Sequence, residues 1–462
     1  MTSFVVLCIL LGIGHLLRSR IGLLHKLYLP SCVIGGLFGL LMIQIFSAGS
    51  SAGYGICESA DSWLNSVTEP WRTLPSFLIN IVFACLFLGV KLPTLSDLWK
   101  RSGPQVVYGQ IVAWGQYVVG LGLWVLFLGW IFTDLPAMFA GILPVGFEGG
   151  HGTAAGMGPV FAERGWAEGQ DLAMASATFG IMSAIVVGMI LINWAVRNGH
   201  AVKHKELTEQ IEDDSIAVIP VDQRPIAGRL TVNSDIIEAF SLHLVAVGLA
   251  CGIGMLIKEG LLLIESQSSY LSENRLLSSF PLFPLCMIGG LIVQLLEDKF
   301  DKRKYIDLGL IRRIQNCSLD FLVIAAIAMI SIDVVKTALL PLLILVAAGI
   351  AWNVFCVTIL APRILPDAWF ERAIAEMGQS MGVTATGLLL LRVVDPDYDT
   401  PAADAFACKQ IVHEPFMGGG LWTSAAIPLI AIYGPGRVLF IALAAVSIWL
   451  TLGWMIRTKR RR

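Results

Sequence analysis

Residues 146–159 read Gly146-Phe147-Glu148-Gly149-Gly150-His151-Gly152-Thr153-Ala154-Ala155-Gly156-Met157-Gly158-Pro159, and residues 377–387 read Met377-Gly378-Gln379-Ser380-Met381-Gly382-Val383-Thr384-Ala385-Thr386-Gly387. Both lie in weakly polar surroundings, within 135–162 and 373–395, yet neither fits the template of a spanning helix. Backbone this rich in glycine does not hold a regular helix. At membrane depth, unwound backbone is tolerated only where it is buried in protein or lines a wet cavity. There the free N–H groups at a half-helix start can hold an anion, and free carbonyls can hold Na⁺. Taken alone, either stretch could equally be a glycine face that lets helices pack closely.

The chain around them repeats itself. Gly12-Ile13-Gly14-His15-Leu16-Leu17-Arg18 matches Gly252-Ile253-Gly254-Met255-Leu256-Ile257-Lys258. Pro30-Ser31-Cys32-Val33-Ile34-Gly35-Gly36-Leu37 matches Pro284-Leu285-Cys286-Met287-Ile288-Gly289-Gly290-Leu291. Leu74–Leu78 is loosely like Ser318–Leu322, and Thr153-Ala154-Ala155-Gly156 matches Thr384-Ala385-Thr386-Gly387. The four offsets are 240, 254, 244 and 231, in the same order along the chain. Each glycine-containing stretch then falls between the fourth and fifth apolar segments of one unit. An odd number of spans per unit makes the second unit enter from the opposite face. Inverted repeats with interrupted segments at matching positions point to a binding site at the repeat interface.

Composition agrees with a membrane setting. The 462 residues are 56% hydrophobic and 14% charged, with a mean hydropathy of +0.74. A soluble domain is about a quarter charged. The 32 basic residues balance 34 acidic ones to a net charge of −2, which gives no basic face for nucleic acid. Eleven stretches resemble spans: 1–17, 27–57 (apolar core 27–46), 73–90, 102–133, 172–196, 239–257, 276–296, 314–332, 337–362, 403–432 and 438–456. With both odd stretches returning to the side they enter from, 26 of the 32 basic residues fall on one side. The other side keeps Arg72, Arg164, Lys258, Arg275, Lys336 and Arg437. The positive-inside rule then puts the N-terminus outside and the C-terminus in the cytoplasm. The expected architecture is all-α. A first five-helix repeat (1–196, hairpin 135–162) and a cytoplasmic linker (197–235) precede an inverted second repeat (236–432, hairpin 373–395). An extra helix and a basic tail facing anionic lipid (433–462) complete it. The nine cysteines show no metal spacing and no disulfide framework.

The run Gly149-Gly150-His151-Gly152-Thr153, followed by Gly158-Pro159-Val160-Phe161-Ala162, resembles the signature hairpin of the sodium/glutamate symporter family. The resemblance extends over about 1–432. It implies Na⁺-coupled uptake of a dicarboxylic amino acid, a homodimer, and alternating access by a hairpin-bearing transport domain moving against a scaffold. Gly149, Gly150, His151, Gly152 and Thr153 carry over as binding-hairpin positions. The chain departs from the pattern at Glu148, where a small or neutral residue is expected. The second hairpin is poorer in glycine, and the linker, long outer loops and eleventh helix are additions.

Ionisable residues inside apolar segments are costly and are functional candidates by default. Glu148 reads as a cation or proton site beside the first tip, or as an exposed mouth residue. His151 reads as a carboxylate contact, a proton carrier or a packing residue. Lys409 and His413 are four apart and share a helix face, as do Gln410 and Glu414. In the functional reading Lys409 or Gln410 meets a substrate carboxylate and Glu414 holds a cation. In the bland one Lys409 and Glu414 pair with each other, or the segment starts later and they are wet. Asn80, Asn193, Asn316, Asp320 and Asp333 read as residues at or near helix ends. The substrate-binding set is Gly149–Thr153, Gly382, Thr384, Thr386, Lys409 and Gln410. The ion-coupling set is Glu148, Ser380, His413 and Glu414. No organic cofactor or transition metal is expected, only Na⁺ or H⁺ as coupling ion.

The leading function is therefore secondary transport of glutamate or a related small anionic solute across the plasma (inner) membrane. An H⁺-coupled carboxylate transporter of the same architecture is the alternative. A channel using the hairpins as filters, or a membrane enzyme using Glu148 and His151, also remains open. The enzyme reading has no nucleophile elbow and no HExxH motif behind it, and no Walker A motif offers ATP-driven pumping.

Overall fold

The computed structural model describes residues 1–22, 24, 29–51, 55–201, 224–275, 277–301, 303–396 and 399–461. Most of the expected linker 197–235 lies outside the described residues, as do Lys26 and the start of the expected span at Leu27. So do the side chains of the basic tail from Thr458 onward. The described residues are helical and contain no strand.

Among the described residues eight helices are long and apolar enough to cross a membrane: Thr2–Arg20, Ser31–Ser51, Ser96–Ile131, Gly169–Arg197, Ala239–Ser266, Leu339–Ile364, Ala402–Tyr433 and Pro435–Arg457. Many of their large apolar side chains face outward: Phe4, Leu126, Trp130, Leu256 and Phe440 are all exposed. In water such a surface would be a liability, and in lipid it is the expected one. The chain is an all-helical, multi-pass membrane protein.

Three of the eleven expected spans fold as helices of a different kind. Leu74–Ala84 is only 11 residues, about 16 Å at 1.5 Å per residue, roughly half the hydrocarbon thickness. Phe283–Phe300 carries Glu297, Asp298 and Lys299 in its last turn, and Leu308–Ala328 carries Arg312, Arg313 and Asp320. Apolar stretches counted from charge-free runs do not reveal where a helix starts or stops. Asp320, expected near a helix end, lies in the body of its helix instead.

The chain divides into two compact units, and both draw on each half of the sequence. Unit 1 comprises residues 1–92, 155–159 and 216–330. In it, Thr2–Arg20 crosses Ser31–Ser51 so closely that a Cβ on Gly14 would lie 2.1 Å from Ser31 O. One on Gly35 would lie 2.5 Å from Leu10 O. Ala239–Ser266 crosses Phe283–Phe300 in the same manner. A Cβ on Gly254 would lie 2.6 Å from Cys286 N, and one on Gly289 2.0 Å from Ala250 O. Small residues allow such backbone-to-backbone packing, which replaces the hydrophobic drive that is missing in lipid. These crossings sit at the sequence offsets of 240 and 254. The next glycine in each helix also faces a neighbour: Gly36 lies against Ile324 and Ile327, and Gly290 against Ala84.

Unit 2 comprises residues 93–154, 160–215 and 331–462. Two of its long helices carry a π turn, at Trp124–Leu128 and Cys356–Leu360, 232 residues apart. Such turns mark functional or strained places in helices. Two segments are interrupted. The first runs as Ile142–Phe147, a break at Glu148 and Gly149, then Gly150–Gly156, whose last two residues belong to unit 1. The second runs as Trp369–Ser380, a break at 381–383, then Thr384–Val394.

Candidate functional site

The two breaks touch. Gly150 has φ +67°, a backbone shape L side chains rarely adopt. A Cβ there would lie 3.1 Å from Gly382 O and 3.2 Å from Val383 Cγ1. Gly150 is thus fixed both by its own backbone and by the neighbouring tip.

Beside this contact, unit 2 holds a continuous set of polar side chains, buried except for the half-buried Thr384 and Glu414. Lys409, wholly buried in the helix Ala402–Phe416, donates to Glu376 Oε1 at 2.6 Å and to Gln410 Oε1 at 2.9 Å. Glu376 Oε2 accepts from Gln105 Nε2 at 3.0 Å. A lysine can only donate, so it fixes the Gln410 amide with its nitrogen pointing onward. That nitrogen meets Gln379 Oε1 at 3.0 Å, Thr384 Oγ1 at 2.6 Å and Glu414 Oε1 at 3.2 Å. Thr384 Oγ1 in turn lies 2.9 Å from Gln379 Oε1 and 2.5 Å from Glu414 Oε1. Five short contacts thus share the two amide hydrogens and one hydroxyl hydrogen, and three oxygens converge on a shortage of protons.

The second half of the set begins at Glu148, which is buried. Its Oε1 lies 2.5 Å from His413 Nε2. His413 Nδ1 lies 3.3 Å from Gln110 Nε2, and Gln110 Oε1 accepts from Trp114 Nε1 at 3.1 Å. Gln379 also lies against Glu148 and so joins the two halves. Three carboxylates (Glu148, Glu376, Glu414) therefore face one permanent cation, Lys409, and one histidine. Removing one member of a buried ion pair costs about 3–5 kcal/mol, so Lys409 and Glu376 hold each other in place.

The expected site residues fall into two groups. Glu148, Thr384, Lys409, Gln410, His413 and Glu414 are brought into this set, and Gly150 meets Gly382. The others stand apart from its hydrogen bonds. His151 Nε2 meets Thr178 Oγ1 at 3.1 Å, and Thr178 spends its own proton on Met174 O. His151 therefore donates from Nε2. Thr153 Oγ1 and Ser380 Oγ are buried with no hydrogen-bond partner in the structure. The Ser380 carbonyl accepts from Gln116 at 2.6 Å. Thr386 is buried, and its side chain is near Gly382. Gly149 packs against Thr153, and Gly152 continues the helix begun at Gly150. Two bland readings are displaced. Glu148 is buried rather than at an exposed mouth, and Lys409 pairs with Glu376 rather than Glu414.

Sequence reasoning missed Glu376, Gln379 as a bridge, and the glutamines of the helix Leu95–Leu123. A signal was there. Gln105 and Gln116 are eleven residues, about three turns, apart in an otherwise apolar helix, and Glu376 stands one residue before the quoted stretch.

The model of the family described as sodium/glutamate symporter matches residues 1–399. The chain belongs to that family. No curated protein and no solved structure matches it. As a member of the sodium/glutamate symporter family it is a membrane transporter. The match is shorter than the resemblance over 1–432. It includes both broken segments and Glu376, and it ends before Lys409, Gln410, His413 and Glu414. Those four side chains complete the set from outside the matched range.

Proposed function

We propose that this symporter-family protein takes up glutamate or a closely related small anionic solute together with Na⁺, by alternating access, in the plasma membrane of the cell. The observation that carries the reading is the buried set at the two breaks, where carboxylates outnumber cations. A site of that composition repels an anionic solute unless a cation accompanies it, which is the requirement of symport. In this reading Lys409 and Gln410 meet the solute with the broken backbones at Gly149–Thr153 and Gly382–Thr386. Glu148, Ser380, His413 and Glu414 serve the coupling ion.

Two inverted repeats (1–196 and 236–432) are supported by the paired glycine crossings and by π turns at near-constant offsets. Both broken segments, read as re-entrant hairpins, draw on unit 2, which makes that unit the moving part of an elevator-like cycle. The helix Pro435–Arg457 is the addition to the repeats. The N-terminus is outside, the linker and tail are cytoplasmic, and the protein works as a homodimer in lipid.

Proton coupling is the second reading, favoured by one observation. Around Gln379, Gln410, Thr384 and Glu414 five contacts share three hydrogens, so the cluster has room for one more. Uptake of labelled glutamate into sealed proteoliposomes decides between them. Under Na⁺ coupling, uptake collapses when choline replaces Na⁺ at fixed pH, and internal glutamate stimulates exchange. Uptake that follows an imposed proton gradient without Na⁺ assigns the proton instead. Current that does not saturate with glutamate would indicate a channel.

A further inference from the structure

The orientation of His413 can be read from the partners around it. The indole Nε1 of Trp114 carries a hydrogen and no lone pair, so it can only donate. It faces Gln110 at 3.1 Å, and that atom is therefore the amide oxygen. The other end of the same amide is then the NH₂ group, which also can only donate, and it faces His413 Nδ1 at 3.3 Å. Nδ1 must offer a lone pair. A neutral imidazole with its lone pair on Nδ1 carries its proton on Nε2, and Nε2 points at Glu148 Oε1, 2.5 Å away. Reversing the amide would set two donors against each other at Trp114. The indole is itself held, tilted against Trp422 at 4.5 Å and near Tyr117 at 6.0 Å between ring centres.

We propose that Trp114 and Gln110 are positioning residues: through the Gln110 amide they lock His413 as a neutral Nε2–H donor, so that Glu148 stays a charged carboxylate paired with a neutral partner. This rests on the reading of Glu148 and His413 as part of the transport site. The consequence is electrostatic. Had His413 been charged, Glu148 would be neutralised inside the protein. With a neutral donor its negative charge remains, balanced from farther off by Lys409, and the site keeps its demand for a cation. In metal sites, partners that orient a ligating histidine change affinity or activity by about 10–100-fold when altered, and the lower end of that range is the scale expected for an orienting role at His413.

Two substitutions separate orientation from packing. Gln110→Glu presents an acceptor to both neighbours. It can still accept from Trp114, but it demands a hydrogen on His413 Nδ1. Gln110→Met fills similar space and demands nothing. The orienting role predicts a rise of about tenfold or more in the Na⁺ concentration for half-maximal glutamate uptake in Gln110→Glu. The rise is smaller in Gln110→Met, and maximal rate changes less than half-saturation in both. Trp114→Phe, which frees the amide to turn, falls between wild type and Gln110→Glu. Nitrogen-15 NMR of histidine-labelled full-length protein, with His413→Asn used to assign the signal, reads the tautomer directly. The expected proton is on Nε2 alone in the wild type and on both Nδ1 and Nε2 in Gln110→Glu, where each ring nitrogen faces a carboxylate. Equal effects of Glu and Met at position 110, or a wild-type His413 protonated at Nδ1, would overturn the proposal. The NMR result does not depend on turnover. A correct tautomer in a protein that transports no glutamate under any gradient would instead count against the transport reading.

Discussion

The two units bury polar side chains for different purposes. In unit 1 most of them serve the backbone. His243 donates from Nδ1 to Ala239 O and accepts the Asp307 N–H at Nε2. Glu265 accepts the N–H groups of Leu277 and Ser278, while Lys258 donates to the carbonyls of Leu277, Ser278 and Phe280. Gln294 accepts from Gly89 N, and Gln315 donates to Val82 O. Each closes a helix end or turn that lipid could not satisfy. In unit 2 the buried groups mainly bond one another: Lys409 with Glu376 and Gln410, Gln410 with Thr384, Glu148 with His413. Side chains that cap backbone stabilise a fold. Side chains that hold one another at a helix break form a set that a solute or ion can enter by exchanging partners, which is the part the proposed transport reading gives to unit 2.

The largest expected effect breaks the unit 2 set at its strongest member. Lys409→Met leaves Glu376 buried against Gln105 alone, at a cost of about 3–5 kcal/mol. Thermal unfolding in detergent should shift down, and glutamate uptake should be lost. The double variant Lys409→Met with Glu376→Leu removes both charges. It should recover much of the stability, because an apolar pair can replace a buried ion pair. Transport should not return. Recovery of both together would mean that the pair is only structural, and would erase the contrast between the units.

Next in size is the mirror experiment in unit 1. Glu265→Leu orphans two loop N–H groups, worth about 1–3 kcal/mol each when buried and unpaired. Stability should fall, with uptake per folded molecule close to wild type. Loss of uptake at full stability would place Glu265 in the transport cycle and break the comparison from the other side. Gly289→Ala tests the crossing that supports the repeat. Its methyl would sit 2.0 Å from Ala250 O, so the helices Ala239–Ser266 and Phe283–Phe300 must part. The matched change Gly35→Ala should do comparable damage, since it meets Leu10 O at 2.5 Å. A large effect in one and none in the other would argue against equivalent crossings.

Much of this contrast was legible in the sequence, for reasons that can be named. Gly35, Gly289 and Gly290 are written directly in the chain because backbone contact tolerates no other residue there. Lys409, His413 and Glu414 stood out because charge inside an apolar segment is rare enough to read singly. The Lys409–Glu376 pair was hidden because its members are 33 residues apart and lie on either side of a helix break, where periodicity carries no information. The glutamines were passed over because an uncharged amide does not interrupt an apolar run. Helix ends failed for a related reason. Leu74–Ala84 stops short although its sequence stays apolar to Val90, because the turn there is set by contacts such as Gly89 N with Gln294. Those contacts come from 205 residues away.

The smallest expected effects compare two threonines in matching stretches of sequence, 231 residues apart. Thr384 has its hydroxyl among Gln379, Gln410 and Glu414, whereas the Thr153 hydroxyl is buried without a partner. Thr384→Ala strands part of the Gln410 amide and leaves Glu414 with one donor fewer, so it should cost stability by about 1 kcal/mol and lower uptake. Thr153→Ala removes a group that already goes unsatisfied. Its stability should be unchanged or slightly higher, because deleting an unpaired buried hydroxyl removes a desolvation cost. A fall in uptake at that unchanged stability means that the hydroxyl acquires its partner only during transport. The comparison is sharpest in sealed vesicles with insertion verified. If both variants take up glutamate as the wild type does, the broken segments are not the binding site, and the polar set of unit 2 needs another function.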